Sequence, residues 1–219
     1  YGAVHGPFTP APRHLKEYPK VKVKIPADIY PPRIGKPKYS REKEQWIRGE
    51  NGLPVLKDKR FSGRTVSGKF IHGIDLHSLE RQYHQGVLAI DEGVGKLIQA
   101  LKDTGQYENT LIVFGADQGI AWGQKGFQMK LAPYDGTIRG PLIVSMPKKF
   151  PSGKVCEKPV GGADLVPTFF KAASLELPWE MHGRDLTPLL EEPDNQSWKS
   201  PLLLAHTGMS FGEDCDEVI

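Results

Sequence analysis

Asp117 and Gln118 stand side by side in "FGADQGIAWGQKGFQMK", residues 114–130, directly after an apolar run, and Lys130 closes the same stretch. A carboxylate and an amide carbonyl are hard oxygen donors, which suit Ca²⁺ or Mg²⁺ rather than Zn²⁺. Two donors do not complete the roughly six to eight oxygens of a Ca²⁺ shell, so further ligands must come from elsewhere. An ammonium near a divalent cation makes sense around an anion, such as a phosphate or sulfate ester. His5, in "HGPFTP", is remote in sequence. An imidazole on a proline-rich loop could donate to the same anion or protonate a leaving oxygen. On residue types alone, Asp-Gln-Gly after a strand is also a common turn, and a single histidine is commonly just exposed.

The elements that must position these groups are legible from periodicity. Leu76, Leu79, Tyr83, Val87, Ile90, Val94, Leu97 and Leu101 recur at spacings of three and four. This predicts a helix over 75–104, with Asp75 as N-cap, Gly105 just past the end and one apolar stripe. The run over 110–115 reads as a buried strand, and 140–147 as a second. Residues 162–174 read as a helix with Asp164 as its cap and Pro167 in its first turn. "LTPLLEEP" reads as a short helix, and "PLLLAH", 201–206, as a third strand. A short helix is expected over 40–48, capped by Ser40. Strands alternating with helices predict an α/β fold, with Asp117 and Gln118 just past a strand's carboxyl end, where such folds bind ligands.

Composition excludes several classes. Hydrophobic residues make up 38% and charged residues 25% of the 219, which is globular rather than disordered. No apolar run approaches the ~20 residues of a membrane helix. The net charge of +3 conceals an asymmetry. Residues 1–69 carry sixteen Lys and Arg against six Asp and Glu, whereas 70–219 carry thirteen against twenty. The basic part, interrupted by nine prolines, suggests an anionic partner or a solvated, loop-rich surface. No nucleic-acid-binding signature accompanies it, so nucleic acid is not an expected partner. Cys156 and Cys215 lie outside any metal-binding spacing and read as unrelated thiols.

Six segments, in order, resemble the formylglycine-dependent sulfatases of the alkaline phosphatase superfamily. They are "VHGPFTPAPRHLKEYP", "YHQGVLAIDEGVGKLIQAL", "NTLIVFGADQG", "KLAPYDGTIRGPLIV", "ADLVPTFF" and "MHGRDLTPLL". The likeness spans roughly residues 1–206 and departs from the usual pattern at Val4 and Ala116. It implies an alkaline-phosphatase-like α/β fold with a mixed, mostly parallel sheet and helices on both faces, incomplete in this chain. Residues 1–190 would be the second half of the catalytic domain, and 191–219 the start of a small C-terminal subdomain. Asp117 and Gln118 would be metal ligands for Ca²⁺, or Mg²⁺. Lys130 and His5 would act catalytically and bind the sulfate, while Tyr134 and Arg139 would orient the loop.

The family's Cys/Ser-x-Pro/Ala-x-Arg nucleophile motif is not in these residues, nor are the tandem aspartates that complete the metal site. The resemblance therefore implies a formylglycine upstream, in a remaining N-terminal half of the enzyme. It implies a sulfated small-molecule or glycan substrate and an exported location, although no signal peptide is visible at Tyr1. The other readings are a phosphoester or phosphonate hydrolase of the same superfamily, and a non-catalytic homologue that keeps the anion pocket.

Overall fold

The computed structural model describes residues 4–6, 8–58, 73–130, 132–199 and 201–204. The chain divides into two compact units. The described parts of Tyr1–Leu97 and Gln118–Arg139 form the first, and those of Ile98–Asp117 and Gly140–Thr207 the second.

The first unit is built mostly from loops, as its prolines demand. Its regular pieces are α1 (Lys38–Arg41), β1 (Trp46–Arg48) and β2 (Pro54–Leu56). The expected helix over 40–48 is therefore a single turn followed by a strand. Ser40 lies buried inside that turn instead of capping it. Pro37, with its fixed φ, takes the position that a serine cap was expected to hold. β1 and β2 pair antiparallel, Trp46 opposite Leu56. They sit in a core of Phe8, Ile29, Trp46, Leu56, Ile74, Leu76 and Leu79.

The long helix α2, Leu76–Asp103, matches its prediction at both ends. The Asp75 carboxylate accepts hydrogen bonds from the Ser78 backbone N–H and hydroxyl, both at 3.0 Å. This satisfies an amide that the first turn leaves unpaired. At the other end Gly105 turns left-handed (φ 69°). The Gly105 and Gln106 N–H groups donate to the Lys102 and Leu101 carbonyls, which is a Schellman stop. The apolar stripe is buried only in part. Leu76 and Leu79 are buried, Tyr83 packs at the core edge, and Val87 and Leu97 lie exposed. Periodicity marks which residues share a face, and burial needs a neighbour to cover that face.

α2 also carries Glu80, whose carboxyl is pushed up to about 7 by burial. Its folded-state value lies above its ordinary one. Its contribution to stability is therefore complete below about pH 4.5 and is lost as pH rises through 7. Glu80→Gln should remove that loss. Denaturation from pH 4.5 to 8 is expected to show the variant gaining on the native protein across this window. Parallel pH profiles would show that burial does not perturb Glu80.

In the second unit β3 (Ile112–Gly115) pairs antiparallel with β6 (Leu142–Ser145), Ile112 opposite Ser145 and Gly115 opposite Leu142. Both strands were expected. The described strands form three two-stranded ladders, all antiparallel. The mostly parallel character expected of the sheet is thus not carried by them. Between β3 and β6 the chain passes through Gln118–Arg139 without the crossover helix that parallel neighbours use.

α4 (Gly162–Ala172) differs in detail from its prediction. Gly161 is the N-cap, and Asp164 sits three residues in. Its carboxylate reaches back to the Gly161 N–H at 2.9 Å and also accepts the Arg184 N–H at 2.8 Å. Pro167 lies in the second turn rather than the first, so the Ala163 carbonyl lacks its usual i+4 amide. The chain passes so close there that a Cβ on Gly183 would stand 1.9 Å from that carbonyl. α5 (Thr187–Glu191) forms as expected. Residues 201–204 adopt no strand, and the rest of "PLLLAH" lies outside the described residues. Leu203 and Leu204 are exposed, and without a ladder partner an apolar run has no reason to become a strand. Cys156 is a free, exposed thiol, and Cys215 lies outside the described residues.

Candidate functional site

Asp117 emerges just past the carboxyl end of β3, with its side chain exposed. One residue earlier the Ala116 N–H donates to the Pro141 carbonyl at 3.2 Å, so the backbone is held up to the turn. Gln118, half-buried, opens the segment that belongs to the first unit.

Gly119 then presses on α3, the single turn Asp135–Ile138. Its N–H donates to the Thr137 carbonyl at 2.9 Å. A Cβ here would lie 2.5 Å from the Gly136 carbonyl and 2.6 Å from that of Arg139. The glycine of Asp-Gln-Gly is therefore required by close approach, not only by turning.

After it, β4 (Ala121–Trp122) pairs antiparallel with β5 (Gln128–Met129), Ala121 opposite Met129. Lys130 is the residue that follows β5, and Ile120 the one that precedes β4. Lys130 is half-buried, and Gln118 lies three residues before β4.

Tyr134 and Arg139 bracket α3. Tyr134 is its N-cap, and its carbonyl accepts the Thr137 N–H (2.9 Å) and the Thr137 hydroxyl (2.9 Å). Its own hydroxyl lies 3.4 Å from that of Tyr39, and its ring stacks obliquely on Phe127 at 5.8 Å. Arg139 closes α3 through its backbone, while its exposed guanidinium stands 3.8 Å from the Asp135 carboxylate. An exposed pair of this kind adds little stability.

His5 is exposed, with Nδ1 3.1 Å from the Gly6 carbonyl oxygen. Its own carbonyl accepts the Phe8 N–H at 3.0 Å. Phe8 packs into an aromatic cluster with Tyr83 and Trp122, at centroid distances of 5.2–5.7 Å. The His5 turn is thereby seated against β4. Trp122 belongs to this cluster.

The hairpin loop shows what sequence reading missed. Its glycines look like flexibility, yet they are points of contact. A Cβ on Gly123 would meet Ile29 at 2.5 Å, and one on Gly126 would meet the Arg33 guanidinium at 1.8 Å. Arg33 is 5% exposed and donates to the carbonyls of Asp28, Ile29, Ser40 and Lys43. Burial pushes its guanidinium below the usual range, which the nearby Asp28 charge opposes. Lys125 clamps the same segment, its ammonium 2.8 Å and its N–H 3.1 Å from the Asp28 carboxylate. Burial would raise the Asp28 carboxyl, but those two hydrogen bonds and the ammonium charge outweigh it and hold it below its ordinary value. A Gly-x-x-Gly spacing was the available signal for this lock. Nothing in the sequence around Arg33 marked it as the partner.

Gln118, Lys130, Tyr134 and Arg139 are therefore gathered on one hairpin and the α3 turn, braced by residues 28–33. Such an arrangement can offer an amide oxygen to a cation and an ammonium to the anion that the cation holds. Among the described residues no group of three or more His, Cys, Asp or Glu side chains could hold a metal ion. Asp117 and Gln118 fit a hard cation in donor type and supply only part of its shell.

A family model for sulfatases matches residues 1–175. The chain belongs to the sulfatase family. Among its relatives, the N-acetylglucosamine-6-O-sulfatase of Bacteroides thetaiotaomicron is 28% identical over 229 residues, covering 86% of this chain and 41% of that protein. A solved structure of a protein in complex with its substrate, D-glucosamine-2-N,6-O-disulfate, superposes with a TM-score of 0.71 at 26% identity. It covers 89% of this chain and 48% of that one. The phosphonate monoester hydrolase of Silicibacter pomeroyi superposes with a TM-score of 0.54 at 32% identity, over 59% of this chain and 26% of its own. This sulfatase-family chain thus spans less than half the length of each. The likeness supports the alkaline-phosphatase-like α/β fold read from the sequence.

Proposed function

We propose that the complete protein is a sulfuric ester hydrolase that removes sulfate from a carbohydrate, with 6-O-sulfated glucosamine units as its substrate class. The observation that supports this reading is the β4–β5 hairpin, with Met129, next to Lys130, opposite Ala121, in a chain whose family and whose relative at 28% identity are sulfatases. In this reading Asp117 and Gln118 ligate a Ca²⁺ ion, or Mg²⁺. Lys130 and His5 contact the sulfate and the leaving oxygen. Tyr134 and Arg139 orient the loop. When bound, the cation would neutralise the sulfate and act as Lewis acid and template. The remaining ligands and a formylglycine nucleophile come from a preceding half of the protein. Residues 191–219 open a small C-terminal subdomain, and the enzyme is exported.

The test is sulfate release from N-acetylglucosamine 6-sulfate by the complete protein, followed by ion chromatography. Asp117→Ala should lose both turnover and bound metal, measured by elemental analysis. Full metal occupancy in that variant would refute the ligand assignment. A second reading, phosphonate or phosphate ester hydrolysis, draws on the likeness to the Silicibacter pomeroyi enzyme. Faster turnover of a phosphonate monoester than of the sulfate ester would favour it. A folded, metal-loaded protein that hydrolyses neither would be a non-catalytic homologue.

A further inference from the structure

Residues 20–25, "KVKVKI", lie between Pro19 and Pro26 and carry charge that the site above does not use. Burial alternates along them. Lys20, Lys22 and Lys24 are exposed, while Val21, Val23 and Ile25 are half-buried. Val23 and Ile25 pack against the core of the first unit. A period of two is the mark of extended backbone, and Pro26 disfavours a helical Ile25. Lys20 lies in the turn closed by the Val21 N–H on the Tyr18 carbonyl at 3.2 Å, and along the extended segment that follows, at ~3.3 Å per residue, Lys22 and Lys24 stand ~6.6 Å apart along the backbone.

The row is held in place. The Val23 N–H donates to His77 Nδ1 at 3.2 Å. Upstream, buried Gln85 donates to the Leu15 and Glu17 carbonyls at 3.1 and 2.8 Å. Both anchors are on α2. Lys16 and Tyr18 continue the surface: Lys16 is exposed, and the Tyr18 ring is 44% exposed. Among the described residues none of Lys16, Lys20, Lys22 and Lys24 makes an ion pair, whereas neighbouring Arg13 and His14 are engaged by Glu92.

We infer that Lys20, Lys22 and Lys24 form a docking ladder for one linear, sulfated polysaccharide chain. A single row one residue wide matches a single extended polyanion. A lipid surface would instead call for basic residues spread over an amphipathic face. Because the backbone is pinned by α2, little ordering is lost on binding. The exposed Tyr18 ring offers an apolar face to a sugar at the head of the row. The ladder would hold a polymer on the enzyme between successive cleavages and raise its local concentration. The choice of a sulfated glycan rests on the function proposed above, and the lysine geometry does not.

The test uses the complete protein and heparin as the probe. Lys22→Ser/Lys24→Ser is compared with Lys36→Ser/Lys38→Ser, which removes the same charge from two other exposed lysines. The ladder variant should bind heparin about tenfold more weakly, with a shallower salt dependence, and the control less than about threefold. Turnover of monomeric N-acetylglucosamine 6-sulfate should be unchanged in both. Equal losses in the two variants would reduce the effect to net charge and overturn the ladder. So would unchanged heparin affinity, or equally strong competition by phosphatidylserine vesicles. Should sulfate esters not be turned over at all, the heparin comparison still decides the ladder.

Discussion

Lys130→Ala in the complete enzyme is expected to lower turnover of a sulfate ester by about 10²–10³-fold, the usual consequence of removing one preorganised stabiliser of developing charge. The same change should move the unfolding midpoint only slightly. Lys130 is half-buried, and among the described residues it makes no hydrogen bond or ion pair whose loss would loosen the fold. It follows directly on β5, whose Met129 pairs with Ala121 of β4. An ammonium without a counter-charge among the described residues is suited to an anion that arrives with the substrate. Lys130→Arg keeps the charge but exchanges a compact ammonium for a wide planar fork, so it should restore only part of the loss. Steady-state rates for the three proteins, beside their denaturation curves, separate the possibilities. Near-native turnover in Lys130→Ala would remove it from the reaction. A large fall in stability would make it a structural residue.

The second large effect is on stability. Gly126→Ala should destabilise the protein by about 3–5 kcal/mol, and Gly35→Ala by only about 1–2 kcal/mol. The two glycines have nearly the same left-handed backbone, φ 77° and 78°. They therefore share the conformational penalty of an alanine there. They differ in space. A Cβ at Gly35 meets nothing within 4 Å, and one at Gly126 would overlap the buried Arg33 guanidinium at 1.8 Å. To make room Arg33 must leave some of the four carbonyls it serves, and buried carbonyls without donors are costly. Urea denaturation of both variants gives the comparison directly. Equal losses would mean that Arg33 yields freely and that the lock between residues 28–33 and the hairpin is weak. If the lock matters as inferred, Gly126→Ala should also impair Lys130, whose strand leaves the same loop.

Local chemistry was readable in the chain, and it carried a good part of the fold. Asp75 and Gly105 delimit α2 because capping involves only residues within a turn of the helix end. Ile112–Gly115 and Leu142–Ser145 were found because β-branched apolar runs have few other uses. The order of six short segments was enough to reach the sulfatase family, and the family match bears that out. Asp117, Gln118 and Lys130 could be nominated because their donor types are printed in the sequence.

What failed to show in the chain has a common cause. Whether the stripe of α2 is buried at Leu97, whether "PLLLAH" becomes a strand, and whether Ser40 caps or fills a turn all depend on neighbours distant in sequence. The glycines of the hairpin read as freedom to turn. They proved to be places where Ile29 and Arg33 come too close for any side chain. Residue types and local spacing follow from covalent order, so the candidate chemistry and the helix ends were fixed there. Close approach and strand register between remote segments come from packing, and it is packing that sets Met129, next to Lys130, opposite Ala121.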